Sequence, residues 1–296
     1  MSLTYDGLDA TTRKRFIPAL RDNIFKSNVI LYRLLKRGGM MGAKDSGGTK
    51  VIEPLEYVKS TKVGSYAKGD TLTAAEEEFI TAAEFDYKRY HADVYIDGLE
   101  ELQNRGAARV IDMVAAKLKN ASRSLADDMA ADAFSTGVAD AKGFVGLMAV
   151  CDDGTSVDSY GGITRSTDGN PWWKAYRQTA VADATLAVLR KQYNAQRVNA
   201  DVPTLIVSDF TEQENYENLF MNATNVIWLS TMVPKTLEGG FQAYTFKGTA
   251  WVEDSHSPAK TILFLNERYI HMRTLMDFTN KGWQRPTNKD ELITLV

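Results

Sequence analysis

The chain has 296 residues, 44% of them hydrophobic, 25% charged and 10% aromatic, a globular composition that excludes disorder as its main state. At ~150 residues per domain it holds about two domains or one elaborated one. It has no run of ~18 apolar residues to span a membrane and no basic-then-apolar secretion signal at its start, and a lone Cys151 excludes internal disulfides and Cys-rich zinc sites. Together these point to a reducing cytoplasm. The net charge of −3 divides unevenly, +6 over residues 1–50 and −9 over the rest. A positive arm on an acidic body suits a negative partner, or simply a solvated basic face.

Residues 11–37 read as helical. Pro18 fits a first turn, and Leu20, Ile24, Leu31, Leu34 and Leu35 recur at spacings of three, four and seven until Gly38-Gly39. Residues 40–96 are richer in β-branched and aromatic types. Val51, Leu55, Tyr57 and Val58 form one candidate strand, Phe79, Ala83, Phe85 and Tyr87 its partner, and a polar, glycine-broken tip from Ser60 to Thr71 joins them. Pro54 argues for an edge. A third strand is expected at Ala92–Ile96.

Residues 97–136 carry the strongest pattern, a single apolar stripe of Val110, Val114, Leu118, Ala121, Leu125, Met129 and Ala133 that predicts a helix of about 30 residues closed by Gly137. A glycine- and aspartate-rich connector over 137–170 contains one expected strand, Leu147–Val150. A helix from Trp172 to Tyr193 opens on Asn170-Pro171. A buried strand at Thr204–Val207 and a helix from Ser208 or Asp209 to about Asn222 come next. The final third predicts strands at Tyr244–Phe246, Thr249–Val252, Thr261–Leu265 and Tyr269–Met272.

Catalytic signals are sparse. Gly38–Lys44 lacks phosphate-loop spacing, and there is no dinucleotide fingerprint or nucleophile elbow. His91, His256 and His271 are isolated. Glu253-Asp254-Ser255-His256 offers acid, nucleophile and base, but sequence neighbours rarely converge as a triad requires. Asp127-Asp128 diverge by about 100° on a helix, Asp152-Asp153 read as a turn, and Cys151 as a small hydrophobe. No catalytic, cofactor or metal site is expected.

The order of these elements resembles the major capsid proteins of tailed phages with the Hong Kong 97-type fold. The likeness rests on Phe16–Leu20 as the opening of an N-arm, on Asn104–Val114 with Leu125–Met129 and Phe134–Gly137 as a spine helix, on Gly143–Leu147 after it, and on Phe246–Ser255 with Ile262–Asn266 and Tyr269-Ile270 as peripheral strands. The resemblance implies an α+β fold with an N-terminal arm over 1–40, an extended hairpin (E-loop) over 41–92, a peripheral domain with the spine helix over 93–150, an axial α/β domain over 151–243, and return strands over 244–296. It implies a structural protein, not an enzyme, that assembles through hexamers and pentamers into an icosahedral virion shell around phage DNA. It also implies no cofactor and no membrane partner.

The arm begins within the first dozen residues, which implies either a separate scaffolding protein or a chain that starts after cleavage; Met1 favours the former, and the resemblance also implies a portal. Arg13, Lys14, Arg15, Arg21, Lys26, Arg33, Lys36 and Arg37 would face inward, near DNA or an acidic scaffold, and Lys59, Lys62, Lys68 and Asp70 would make assembly contacts at the hairpin tip. Lys–Asn cross-links have the right residue types in Lys59, Lys62, Lys68, Asn280 and Asn288, but no local motif. Competing readings are a nanocompartment shell, a tail or connector component, and a soluble α+β hydrolase using Asp254, Ser255 or His256.

Overall fold

A computed structural model describes residues 29–30, 33, 47–72, 76–98, 107–138, 140–167, 170–179, 184–221, 235–236, 242–275, 283–284 and 291–295. Val29, Ile30 and Arg33 are helical, and an antiparallel ribbon joins β1 (Lys50–Glu56) and β2 (Ile80–Asp86), in register from Lys50 opposite Asp86 to Glu56 opposite Ile80. Strand β3 (Asp93–Asp97) follows, and then α1 (Ala107–Ala133), about 40 Å long at 1.5 Å per residue.

Just after α1 the backbone doubles back so closely that side chains are excluded. A Cβ on Gly146 would lie 2.6 Å from the Ser135 nitrogen and 2.7 Å from the Ala133 oxygen. Gly137 takes φ +69°, the left-handed conformation that ends many helices. One helical turn, α2 (Leu147–Val150), stands where a strand was expected, because a four-residue apolar run does not distinguish the two. Strands β4 (Ser159–Tyr160) and β5 (Ile163–Thr164) form a minimal hairpin whose turn residues, Gly161 and Gly162, both have positive φ.

The expected helix from Trp172 to Tyr193 is not formed as one element. A 3₁₀ turn spans Pro171–Trp173 and Lys174 goes extended, with ψ 131°. Ala175 then donates its N–H to the Asp152 carbonyl. The helix proper, α3 (Leu186–Ala195), starts at Thr185, whose hydroxyl accepts from the Val188 N–H. Next come β6 (Leu205–Ser208), α4 (Phe210–Met221), β7 (Lys235–Thr236), β8 (Gln242–Phe246), β9 (Thr249–Glu253), β10 (Ile262–Leu265) and β11 (Glu291–Leu295). Tyr269–Met272 is not a strand; a turn at Asn266–Tyr269 and the bond from the Tyr269 hydroxyl to Asp201 Oδ2, 2.7 Å, hold it otherwise.

Five strands make one mixed sheet in the order β10-β6-β9-β8-β7, with β6 parallel to β9. Alternation divides its side chains between two layers. Leu205, Val207, Ala250, Val252, Leu263 and Leu265 share a core with Leu118, Leu125 and Met129 of α1. Ile206, Trp251 and Phe264 point the other way, into a core with Leu189 and Tyr193 of α3 and Tyr216 of α4. The body is therefore a sheet between helices. β11 pairs with β3 instead, with Ile96 opposite Leu292, and Val94 and Ile96 enter the α1 core. The α1 stripe from Leu118 to Ala133 thus shares a core with β6, β9 and β10.

Leu118 is 2% exposed. Leu118→Asp buries a charge with no partner, a cost of several kcal/mol, and should abolish soluble folding. Normal solubility and an unchanged helical circular dichroism spectrum would show that the stripe is not core.

Candidate functional site

The β1–β2 ribbon is the part of the molecule least accounted for by its own fold. Residues alternate along both strands, so one face carries Val51, Leu55, Ala83 and Phe85 and the other Ile52, Pro54, Ala82 and Ile80. The first face is covered by its own chain. Ala83 is fully buried, the Phe85 ring lies 5.2 Å from Tyr160, and Tyr57 stacks on Trp172 at 5.2 Å and 27°. The Glu84 N–H donates to the Gly161 carbonyl at 2.9 Å, and a Cβ on Gly161 would stand 2.9 Å from Phe85 Cζ and 3.0 Å from Ala83 Cβ. Ribbon and turn fit there only because residue 161 is glycine.

Beneath that contact sits Arg165, 1% exposed. Its guanidinium donates to the carbonyls of Ala149, Val150, Val157 and Trp173 and lies 5.3 Å from the Tyr160 ring centre. Burial lowers its basicity, with the nearby Asp152 carboxylate opposing that fall. Asp152 is itself buried, which disfavours its charge. The N–H groups of Val157 and Ser156 and the Arg177 guanidinium at 2.7 Å outweigh that and hold it below the usual carboxylate range. Burial pushes the Tyr160 hydroxyl up to about 12 and the Cys151 thiol up to about 11, so neither ionises near neutrality. This polar knot makes the platform under the ribbon stiff.

The other face is bare: Ile52 and Ile80 are exposed there, and Phe79, just past the ladder, and Val63 and Leu72 on the tip are exposed too, Val63 at 79%. Beyond the ladder the two limbs are joined by the Tyr57 N–H to the Phe79 carbonyl, the Tyr57 hydroxyl to the Glu78 carbonyl, and the carboxylate of Glu77. Glu77 accepts from the Ser60 hydroxyl at 2.6 Å, the Thr61 hydroxyl and the Thr61 N–H. Lys59, Lys62 and Lys68 stand exposed along the outgoing limb. Asp70 folds back locally, accepting from the Ala67 N–H at 2.6 Å. A groove of about 660 Å³ opens on the body between β3 and α1, lined by His91, Asp93, Lys117, Asn120, Ser124 and Asp128.

The basic arm needs one correction. Arg33 is not an inward-facing free charge: it is 8% exposed, and Nε and Nη2 donate to the two carboxylate oxygens of Glu267 at 2.6 and 2.9 Å. Glu267 also accepts from Thr204. Neighbouring Ile30 is fully buried in the α1 core. This end of the segment therefore belongs to the body. Arg13, Lys14, Arg15, Arg21, Lys26, Lys36 and Arg37 lie outside the described residues.

Catalytic candidates are brought together once. His256 Nε2 lies 2.9 Å from Asp127 Oδ1 on α1, and its Nδ1 lies 3.3 Å from Ser255 Oγ. Asp127 is 77% exposed there. The contact clips the turn after β9 onto α1. It lies on the surface, whereas activation of a serine needs a water-poor pocket. Asp153 accepts from the Thr155 N–H, the turn its sequence suggested. Among the described residues no cluster of His, Cys, Asp and Glu is placed to hold a metal, and no helix is long and apolar enough to cross a membrane.

Two consequences are measurable. Arg33→Met takes the bidentate guanidinium from a buried Glu267 carboxylate, and unfolding in denaturant should register a loss of about 3–5 kcal/mol. An unchanged midpoint would mean that the pair is solvated. The Ser60 and Thr61 hydroxyls, with help from Lys62, hold Glu77 below its ordinary 4.5. Because its folded value is depressed, the clasp is complete above 4.5 and is lost as pH falls through that lower value. Acidification should raise amide exchange at Thr61 before it affects β1 or β2. Simultaneous loss would contradict a separate clasp.

No protein-family model matches the chain, and no curated protein matches its sequence. Solved structures do. A chain of the cyanophage A-1(L) capsid asymmetric unit superposes with a TM-score of 0.65 at 16% identity, over 86% of this chain and 84% of that one. A chain of the satellite phage P4 procapsid, solved with its size-determination protein, gives 0.49 at 10% identity, over 94% of this chain and 84% of that one. The first of these shows that the chain has the fold of a phage capsid chain.

Proposed function

We propose that the chain is a major capsid protein of a tailed phage, of the Hong Kong 97 type, whose work is to assemble with copies of itself through hexamers and pentamers into an icosahedral shell around DNA. The observation that carries this reading is the ribbon. One face is fastened to its own subunit and the other stands exposed, with Ile52, Pro54, Ile80 and Ala82 set among Lys50, Glu56, Glu84 and Asp86, on a chain with the fold of a capsid chain. Large apolar side chains left exposed along a ribbon with no second layer suit a contact surface awaiting a partner, and in a closed shell the partner is the same chain by a head-to-tail contact.

On this reading the ribbon is the extended hairpin, α1 is the spine helix, and residues 151–243 make the axial domain. The hairpin crosses to the neighbouring subunit and lies along its β3–α1 groove, where Lys62 and Lys68 meet Asp93 and Asp128. Each exposed pair contributes about 0.2–1 kcal/mol, and repetition around a ring makes the sum significant. The residues ahead of Val29 form the inner-face arm, close to DNA or to an acidic scaffolding protein, and a portal completes the shell. Such a protein needs no catalytic residue and no cofactor, and its place is the virion. A hydrolase is less well supported, since the Ser255–His256–Asp127 contact is open to solvent.

Negative-stain microscopy of the purified chain tests the reading. Shells or capsomer rings are expected; a monomer at high concentration would overturn it. Nucleic acid inside authentic particles, as opposed to packaged enzyme, separates a virus from a nanocompartment. Hydrogen exchange adds a finer test: amides of 63–66 and 71–72, outside the clasp and the local Ala67–Asp70 turn, should be unprotected in free subunits and protected in particles, and equal protection in both would remove the intersubunit contact. Deleting residues 1–28, which spares Ile30 and Arg33, should impair assembly while the body still folds. Normal shells from that variant would dispose of the arm.

A further inference from the structure

We infer that residues 159–165 and 170–173 are a latch that fixes the angle at which the β1–β2 ribbon leaves the body, with the Tyr57–Trp172 stack as its outermost contact. The ribbon touches this segment at two levels. The inner level is a pivot, formed where Ala83 and Phe85 close on Gly161 and Glu84 bonds to its carbonyl. A pivot alone leaves a lever free to swing. The outer level stops the swing: Tyr57, one residue past the end of β1, lies flat on Trp172.

Trp172 stands in turn on Trp173, centroids 5.5 Å apart, and Trp173 stacks on Tyr160 at 5.8 Å and 28° while donating its indole N–H to the Tyr160 carbonyl at 3.0 Å. Arg165 fixes Tyr160 and Trp173 together from below. The platform is rigid, whereas Tyr57 and Trp172 are only half-buried. Rotation about Gly161 would leave the β1–β2 ladder intact and would part Tyr57 from Trp172, together with the exposed Arg273–Glu53 pair at 3.2 Å. The stack therefore orders the ribbon's direction without being needed for its strands. A ribbon held in one direction before contact loses less freedom on docking, which is how preorganisation raises affinity. That consequence rests on the capsid reading; the latch itself does not.

The test uses the full chain, unassembled, with Cys151→Ala and spin labels at Ser65→Cys on the tip and Ser124→Cys on α1, both exposed positions. Pulsed electron resonance should give one narrow distance distribution in this parent. Trp172→Ala should broaden it about twofold, with β1–β2 amide exchange unchanged, and Trp172→Phe should keep it narrow, since a ring remains to stack on. An unchanged width in Trp172→Ala overturns the latch. So does a loss of β1–β2 protection, which would make the stack a support for the strands. If Trp172→Ala does not fold, Tyr57→Ser reads the same stack from the ribbon side, and an unchanged width there is equally fatal. Failure of the parent sequence to form particles would sink the capsid reading while leaving the width comparison valid.

Discussion

A two-stranded ribbon has two faces and no second layer, and much of this molecule answers that constraint. Such a ribbon is marginal in water unless something covers it. Here one face is covered from within the chain by the β4–β5 turn and the tryptophan pair, and the other is left open. The inner cover works only if it cannot yield. Arg165 is accordingly spent on four backbone carbonyls and not on an acid, tying α2, the 157–165 hairpin and the 3₁₀ turn into one block. Four carbonyls take four of the guanidinium's five donors without fixing it to a single partner.

The body supplies the mass behind that block. Strands β6, β9 and β10 are short, and they hold because both faces are buried, one against α1 and the other against α3 and α4. Burial on both faces gives continuous apolar runs such as Leu205-Ile206-Val207 and Ile262–Leu265 in place of alternation. The core has its own polar fastener in Arg33–Glu267, which links the end of the N-terminal segment to the loop after β10. Removing either partner costs more than the pair contributes, because the survivor stays buried.

Elements whose signal is local were legible in the sequence, and elements decided by distant contacts were not. The α1 stripe repeats over seven turns and needs no partner to be read; so do the two limbs of the ribbon, with their β-branched and aromatic alternation. Leu147–Val150 is too short for any period to form. The Trp172–Tyr193 segment has helical spacing, but Trp172 and Trp173 are held by Tyr57 and Tyr160, more than a hundred and about a dozen residues away in sequence, and tertiary packing overrides a weak propensity. Strand β11 becomes a strand only because β3 is there to pair with it. The charge of Arg33 was counted correctly, yet its partner lies 234 residues further on, so no local pattern could announce that it is neutralised. Trp172, Gly161 and Arg165 were missed for the same reason, although the density of aromatics around Pro171 and the Gly161-Gly162 pair were signals that could have marked them.

An exposed apolar ribbon invites indiscriminate pairing, and its composition limits that hazard. On the open face Ile52 stands opposite Glu84, Glu56 opposite Ile80, and Lys50 opposite Asp86, with Lys50 and Glu84 joined at 2.9 Å. Apolar and charged positions are thus interleaved, so no neighbour can bury the isoleucines without also placing a carboxylate or an ammonium. Pro54 removes one backbone donor from β1, which blunts its edge against a foreign strand. Among charged edge devices of this kind, only a partner with matching charges escapes the desolvation cost, and specificity then comes from what the wrong partner would have to leave unpaired. The same interleaving keeps each single contact weak. A surface that is weak singly and selective in its charges binds usefully only where geometry repeats it, and repetition of one contact around a ring is what a closed shell of identical subunits provides.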